Sequence, residues 1–280
     1  TAFLEAGKNQ DAAYVAERIL TPDELRAYVD DHFTLAEAEK SADAPESVDP
    51  WDEMSSTLRW RWLLGRRLMR ARRYQEALPY LPSTVRSKAQ SYQQALEQAQ
   101  DPSRPRVERA RSWFEAAWRV RHHGFEMMAT EVEPDAFCWS GSFEISSIAT
   151  DRARGYWQPW SWKSEAPPKP QPLVTRVTSD ERSRLEWSHL RHEKRFQYRY
   201  LAADHAWQAS RLLPAQSEEL ADVLNTAGSW LKVRDPSAAD RFYQALESRA
   251  GKTALGEQVT ARHWFVEQTG PWSTALQHLQ

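Results

Sequence analysis

The sequence predicts an all-α fold from its composition and from the helix boundaries that can be read along the chain. Only 9 of the 280 residues are glycine, and alanine, leucine, glutamate, glutamine and arginine are abundant. These side chains lose little rotamer freedom in a helix, so the composition favours helix over sheet. Helix start signals recur, and most helical segments come in neighbouring pairs. We therefore expect antiparallel helix hairpins.

The first clear helix start lies in LTPDELRAYVDDHF. Thr21 is a candidate N-cap, Pro22 occupies the first helical position, and Glu24 follows three residues after the cap. A threonine and a glutamate at this spacing satisfy each other's orphan backbone N–H groups, and proline pre-sets the entry dihedral angle. The pattern predicts a helix over 22–32.

A second helix has both ends marked, in RDPSAADRFYQALESRAG. Asp235 is the candidate cap, Pro236 opens the helix, and Gly251 follows its last residue. Glycine adopts the left-handed conformation at little cost, so we expect Gly251 to end the helix in that conformation. Further helices are predicted near 9–19, 55–71, 74–81, 85–99, 106–130, 180–195, 198–213, 217–232 and 254–267.

Two segments interrupt the helical pattern. Residues 40–53, KSADAPESVDPWDE, are acidic and contain proline, which predicts a loop. Residues 132–178 contain six prolines and a run of tryptophans, and a stretch of this length without a helical period is usually functional, packed as a cover, or disordered. The chain therefore divides into four regions. These are an N-terminal helical segment with the acidic loop (1–53), helical repeats (54–131), an irregular insert (132–178) and C-terminal helical repeats (179–280).

The aromatic cluster of the insert lies in GYWQPWSWK and comprises Trp157, Trp160 and Trp162. Its apolar surface argues against disorder. The three rings can pack as a plug against the helical repeats, which we favour, or they can stay exposed and stack on sugar rings. The second possibility would make the protein a glycan-binding module of the cell envelope.

Small and large residues recur with the spacing that closely packed helix hairpins need. The clearest unit is LRWRWLLGRRLMRARRYQEALPYL, in which Leu64 and Gly65 are adjacent, Leu68 follows three residues later, and Tyr74 and Ala77 open the next helix. Partial copies follow in ERARSWFEAAWRV, in LAADHAWQASRLLP and around Gly228. Any antiparallel helix pair needs similar spacing, but the matching glycine and tyrosine favour true repeats. The packing residues of these units are Leu64, Leu68, Ala77, Leu81, Ala110, Phe114, Ala117, Ala202, Ala206, Ala209, Leu231, Ala239, Tyr243 and Leu246.

These units resemble the tetratricopeptide repeat (TPR), and no copy is complete. The segments DAAYVAERILTPDELRAYVD and TAGSWLKVRDPSAADRFYQALESRAGKTALG also resemble the C-terminal part of long bacterial repeat proteins of uncharacterised function. The resemblance implies a right-handed α-solenoid of TPR-like hairpins, interrupted by the insert, and a chain that is a fragment of a larger protein. It implies no reaction.

Composition and motifs exclude several function classes. The formal net charge is −2, so no global field attracts nucleic acid. The single cysteine, Cys138, cannot form an internal disulfide or a cysteine-based zinc site. Neither GxxxxGK[ST] nor GxGxxG occurs, and no apolar run is long enough to span a bilayer. Because the chain begins at Thr1 rather than methionine, we expect the natural N-terminus, with any targeting signal that it carries, to be missing. The cell compartment therefore cannot be read from the sequence.

Weak candidates for chemistry remain. Ser140 and Ser142 follow the cysteine, with His122 and His123 upstream, but nothing resembles a nucleophile elbow, and a loop is the better interpretation. An HxxH pair at 189 and 192 could contribute to a zinc site if a third ligand came from elsewhere, although solvated histidines explain the pattern better. We therefore predict no catalytic residue, no metal site and no cofactor.

The binding surface follows from the resemblance, because the first helix of each TPR hairpin lines the concave face. Both sets of positions that would face the groove are basic with a central tryptophan: Arg59, Trp62, Arg66 and Arg70, and Arg184, Trp187, Arg191 and Lys194. Guanidinium groups fork carboxylates and indole fills a pocket, so the expected partner is another protein or an acidic peptide segment. An alternative interpretation is equally open: the arginines form a solvated face, and Trp62 and Trp187 are core residues. The predicted function is a non-enzymatic scaffold or protein-interaction module.

Overall fold

The computed structural model describes residues 2–5, 9–34, 56–137 and 178–279, and within these ranges it is helical without strands. This confirms the predicted all-α class. The N-terminal half contains α1 (Ala2–Glu5), α2 (Asn9–Tyr14, continued by a π-helix over Val15–Ile19), α3 (Pro22–His32), α4 (Ser56–Arg70), α5 (Tyr74–Ala77, continued by a 3-10 turn over Leu78–Tyr80), α6 (Ser83–Gln100) and α7 (Arg106–Met128).

The C-terminal half is also helical. It contains α8 (Ser179–Trp187), α9 (Gln197–Leu212), α10 (Glu218–Leu231), α11 (Pro236–Ala250), α12 (Ala254–Arg262) and α13 (Pro271–Leu276, continued by a 3-10 turn over Gln277–Leu279). Within the described ranges, no helix is both long and apolar enough to cross a membrane.

Both predicted helix starts are present. Thr21 Oγ1 accepts the backbone N–H of Glu24 at 3.2 Å, and the Glu24 carboxylate accepts the backbone N–H of Thr21 at 2.8 Å. Asp235 accepts the backbone N–H of Ala238 at 2.9 Å. The prediction for Gly251 is wrong, because its φ of −62° is right-handed. A Cβ at that position would lie 2.5 Å from the Glu247 carbonyl oxygen, so the glycine is needed for close approach rather than for handedness.

Two predicted helices are too long. The helix expected over 180–195 ends at Trp187, because the Glu193 carboxylate accepts the backbone N–H of Leu190 at 2.7 Å and replaces a helical hydrogen bond. The helix expected over 254–267 ends at Arg262. There the buried Asn225 side chain bonds the backbone of Val266 instead, at 3.1 Å.

Helix α7 lies at the centre of the molecule. One of its faces packs in an N-terminal core with α2 to α6, and the other packs in a C-terminal core with α9 to α13. Its pairing with α9 is antiparallel, since Trp113 contacts His205 while Gly124, near the other end, contacts Tyr198. A Cβ at Gly124 would lie 2.6 Å from that tyrosine, so glycine lets these two helices approach closely.

The residues expected to pack between helices are buried. All fourteen packing positions named from the sequence are at most 8% exposed. Gly65 lies against Leu81, and Gly228 lies against the Phe265 ring. The small-residue spacing therefore marks the core correctly. Tyr74 is half-buried, and its ring packs edge-on against Tyr92.

Candidate functional site

A cavity of about 760 Å³ opens beside α9, and we call it the central cavity. Its walls come from residues 17–22, 67–74 and 184–192, together with parts of α6, α7 and α9. The antiparallel α7–α9 pair brings these distant segments to one place. The volume is within the range of clefts that bind ligands in other proteins.

Arginine side chains hold the N-terminal segment at the rim of the cavity. Arg67 on α4 donates to the carbonyl oxygens of Ala16 and Leu20, where the π-helix ends. Arg18 donates to the carbonyl oxygen of Glu133 at 2.9 Å. Terminal carbonyl groups of a helix lack intrahelical partners, so these guanidinium groups satisfy acceptors that would otherwise be unpaired.

The lining of the central cavity is strongly basic. It contains two acidic residues, Glu17 and Asp204, and three histidines. Against these two carboxylates stand six arginines, namely Arg18, Arg67, Arg70, Arg72, Arg184 and Arg191. A cleft lined by charge of one sign concentrates ligands of the opposite sign.

Most of these arginines already have carboxylate neighbours. Arg70 pairs with Glu17, and Arg191 pairs with Asp204 at 3.0 Å. Arg184 pairs with Glu24 at 2.6 Å, and its guanidinium holds the pKa of that carboxyl down at about 2.

Two cavity arginines have no carboxylate partner within the described part of the chain. Arg67 bonds main-chain carbonyls, and burial lowers its pKa to about 10, so it remains protonated at neutral pH. Arg72 follows α4 in a left-handed conformation with φ of 60°, and its side chain is exposed. The surplus positive charge of the cavity therefore comes from Arg67 and Arg72.

One wall of the cavity is aromatic. The Tyr92 hydroxyl and His205 Nε2 form a hydrogen bond of 2.9 Å between α6 and α9, and the His205 ring lies 5.2 Å from that of Trp113. Burial lowers the pKa of His205 to about 4, so its imidazole is neutral at physiological pH. Burial also raises the pKa of Tyr92, which keeps the phenol protonated. This wall of the cavity is therefore aromatic and uncharged.

The mouth of the cavity contains an exposed tryptophan. Trp187 is 77% exposed at the end of α8, where the chain turns away from the helix. A large apolar side chain that is exposed next to a basic cleft is typical of an interaction surface.

Similarity to known proteins adds nothing to this geometry. No protein-family model, no curated protein and no solved structure matches the chain. The function must therefore be argued from the residues of the site.

The structure places most of the first predicted arginine set away from open solvent. Arg66 is 1% exposed and pairs with Glu131, and Arg59 pairs with the same carboxylate at 2.9 Å. Trp62 Nε1 donates to the Glu126 carbonyl oxygen at 2.9 Å. Arg59 and Arg66 therefore hold the loop that follows α7, and Trp62 holds the last turn of α7 itself. Of this set, Arg70 lines the central cavity, where it bonds Glu17, Met128 and Ala129.

The second predicted set comes closer to the expected arrangement. Arg184, Trp187 and Arg191 line the central cavity. Lys194 does not line it and pairs instead with Asp235, at 2.6 Å. The two predicted sets therefore meet around one cavity through four residues, and do not form two matching stripes.

Other candidates from the sequence have simpler placements. His189 and His192 bond Glu193 and Asp204, at 3.0 and 2.8 Å. Within the described ranges, no three histidine, cysteine or acidic residues converge as metal ligands. Cys138, Ser140, Ser142 and the aromatic cluster of Trp157, Trp160 and Trp162 lie outside the described residues.

Several cavity residues were not found from the sequence. Tyr92 and His205 are separated by 113 positions and each sits among alanines on a buried helix face, so local pattern marks them as core. Nothing in the local sequence LLGRRLMR distinguishes Arg67 from the neighbouring arginines. Their roles depend on the α7–α9 pairing, which the sequence spacing did not reveal.

Proposed function

We propose that this chain is a non-catalytic protein-interaction module whose central cavity takes a carboxylate-bearing segment of a partner protein. The observation that supports this most is the surplus positive charge of Arg67 and Arg72, which line the cavity and have no carboxylate partner in the described part of the chain. We also infer that the successive helix pairs form a TPR-like solenoid and that the central cavity is part of its concave face. The paired, antiparallel helices and the buried packing residues support that arrangement.

Arginine chemistry favours a carboxylate ligand. A guanidinium presents planar pairs of N–H donors that match the two oxygens of a carboxylate. Arg72 is exposed and has no carboxylate partner in the described part of the chain. Its guanidinium group is therefore available to bind the carboxylate of a ligand. Deeper in the cavity, Arg67 adds positive charge that the nearby backbone carbonyls do not neutralise.

The aromatic groups favour a peptide over a small inorganic anion. Trp187 at the mouth offers a broad apolar surface, and the wall that contains Tyr92 and His205 is aromatic and uncharged. Tryptophan, tyrosine and arginine are the residue types that contribute most energy at protein interfaces. A peptide with an acidic group next to an apolar side chain would use both features.

A peptide array tests the proposal. It carries acidic octapeptides, and each is paired with an amide counterpart in which Asp and Glu are replaced by Asn and Gln. We expect the chain to retain a subset of acidic peptides and to lose them when they are converted to amides. For a selected peptide, fluorescence anisotropy should show that Arg72→Glu weakens binding at least about tenfold, because it reverses the exposed charge at the mouth.

A matched control is Arg111→Glu. Arg111 is exposed on α7 and does not line the cavity. This variant changes the net charge equally and should leave the affinity unchanged. Equal losses in the two variants would indicate non-specific attraction and would contradict the proposal, as would an array with no preference for acidic over amide peptides.

A further inference from the structure

A second basic cluster lies outside the central cavity, around the ring of Phe196 at the start of α9. The guanidinium carbons of Arg195, Arg199 and Arg234 lie 4.9, 4.5 and 4.7 Å from the centroid of this one ring. Cations are attracted to the face of an aromatic ring, but three around the same ring repel one another. None of these four residues lines the central cavity.

A fourth arginine joins the cluster from α7. Arg121 lies one helical turn before Gly124, which packs directly against Tyr198, the residue before Arg199. Burial and the charge of Arg199 lower the pKa of Arg121. We call Arg121, Arg195, Arg199 and Arg234 the Phe196 arginine cluster. Its members come from α7, from the start of α9 and from the turn after α10, so the packing of three helices assembles it.

In the described part of the chain, two carboxylates near the cluster, those of Asp135 and Asp235, have other partners. Asp135 accepts the backbone N–H groups of Phe196 at 2.5 Å and Gln197 at 3.3 Å. Asp235 accepts Lys194 at 2.6 Å and the Tyr200 hydroxyl at 3.1 Å.

Within the described ranges, Arg121, Arg199 and Arg234 form no ion pair with any carboxylate. The capping of α9 by Asp135 also means that the positive potential here comes from the guanidinium groups rather than from free helix N–H groups.

Two arginines of the cluster carry buried donors without acceptors. The Nε atoms of Arg121 and Arg199 are inaccessible to solvent and have no hydrogen-bond partner among the described residues. Leaving a charged donor buried and unpaired is costly, and folded proteins do so rarely. A bound anion that reoriented these guanidinium groups would supply the missing acceptors and would also relieve the repulsion between them.

We infer that the Phe196 arginine cluster is a binding site for a phosphate group. Several guanidinium groups around one point favour a ligand with more than one negative charge and several acceptor oxygens. A phosphate carries nearly two charges at neutral pH and three acceptor oxygens, whereas a carboxylate carries one charge and two. The site is separate from the carboxylate-binding cavity, and either can exist without the other.

The test compares thermal unfolding of the full chain in millimolar inorganic phosphate, in O-phosphoserine and in sodium chloride at matched ionic strength. We expect phosphate to raise Tm by several degrees above the chloride value, because the ligand binds the folded state alone. A shift with phosphoserine as well would show that esterified phosphate is accepted, and a shift with inorganic phosphate alone would assign the site to the free ion.

Variants assign the effect to the cluster. The double variant Arg199→Gln with Arg234→Gln should lose the phosphate-dependent shift while keeping its Tm in chloride, because two repelling charges are removed. The control double variant Arg111→Gln with Arg262→Gln removes two exposed charges elsewhere and should keep the shift. Calorimetric titration of the wild-type chain with phosphate gives a second measurement that does not depend on how the variants fold. No heat of binding, or an equal Tm shift in both double variants, would overturn the inference.

Discussion

Arg66 on α4 donates to the Glu131 carboxylate, and both side chains are almost completely buried, at 1% and 2% exposure. The same guanidinium lies 3.7 Å from the centre of the Phe137 ring and donates to the Ala129 carbonyl oxygen at 3.0 Å. Arg66 therefore fixes the segment 129–137 against α4. Its charge is part of the interior rather than of a surface that a partner can reach.

Truncating Arg66 should unfold the protein at much lower denaturant concentration. Arg66→Ala removes one of the two guanidinium groups that hold the buried Glu131 carboxylate and leaves Arg59 as the other. Removing one member of a buried ion pair costs about 3–5 kcal/mol, so we expect a loss near the lower end of this range. Urea denaturation measures the change in the free energy of unfolding. Arg26→Ala is the control, because Arg26 and Glu76 form an exposed pair at 2.6 Å, and such pairs contribute about 1 kcal/mol or less. Similar losses in both variants would contradict the assigned role of Arg66.

The local features of the fold could be predicted, because neighbouring residues determine them. The Thr21 capping box and the Asp235 cap need no tertiary information, and each appears as expected. The glycine and alanine spacing likewise marked the buried faces. Helix ends that depend on distant side chains were missed. One example is the end of α12 at Arg262, where the Asn225 side chain accepts the backbone N–H of Val266.

The site was harder to predict than the fold. Arg66 and Arg70 lie on one face of a basic helix, and nothing near them in sequence shows that Glu131 and Glu17 will neutralise them. Those carboxylates are 65 and 53 positions away. Because burial of a charge depends on such remote partners, the sequence showed which residues were cationic but not which of them remain open.

Asp135 should make folding stability depend on pH in the opposite sense to most carboxylates. Burial raises its pKa to about 6, against an ordinary value of 3.8. Between these values the folded state holds a proton that the unfolded state has lost, so this group's contribution to stability increases as pH falls from 7 towards 4. Across this pH range the contribution of Asp135 to the free energy of unfolding changes by ~3 kcal/mol.

The comparison variant for this prediction is Asp135→Asn, which cannot titrate. The free energy of unfolding of the wild type minus that of the variant, measured at several pH values, should rise as pH decreases through this window. A flat difference, or one that falls with decreasing pH, would show that the folded-state pKa of Asp135 is not raised.

Gly228 should tolerate a methyl group much less well than Gly65. A Cβ at Gly228 would overlap the Phe265 ring, which is 2% exposed and held by Tyr243 and Trp264 at 6.1 and 4.9 Å between ring centroids. A Cβ at Gly65 would lie 2.8 Å from a terminal methyl group of Leu81 and 3.3 Å from the Tyr80 carbonyl carbon, which is a smaller overlap than the 2.0 Å approach at Gly228.

Overpacking costs about 1–3 kcal/mol, and the gain in helix propensity from glycine to alanine returns about 1 kcal/mol. We therefore expect Gly228→Ala to lose ~2 kcal/mol and Gly65→Ala to be close to neutral in urea denaturation. Equal effects would mean that the Phe265 ring can move aside, contrary to its packing.

Asp222 should hold the C-terminal helix α13 in place. Its carboxylate on α10 accepts the backbone N–H groups of Trp272 and Ser273, each at 2.8 Å, and that of Gly270 at 3.1 Å. These are the first N–H groups of α13, which have no partners within the helix. Asp222 therefore caps a helix from 50 positions away in sequence.

Replacing Asp222 with alanine should release α13 before the rest of the protein unfolds. Three backbone donors lose a charged acceptor, which we expect to cost about 2–3 kcal/mol. Hydrogen exchange followed by mass spectrometry should show faster exchange over 270–279, while α4 and α7 keep their protection, because a local cap supports a local unit. Asp240→Ala, which removes an exposed carboxylate from α11, should change neither region. Uniformly faster exchange in Asp222→Ala would instead mean that α13 and the central helices unfold as one cooperative unit.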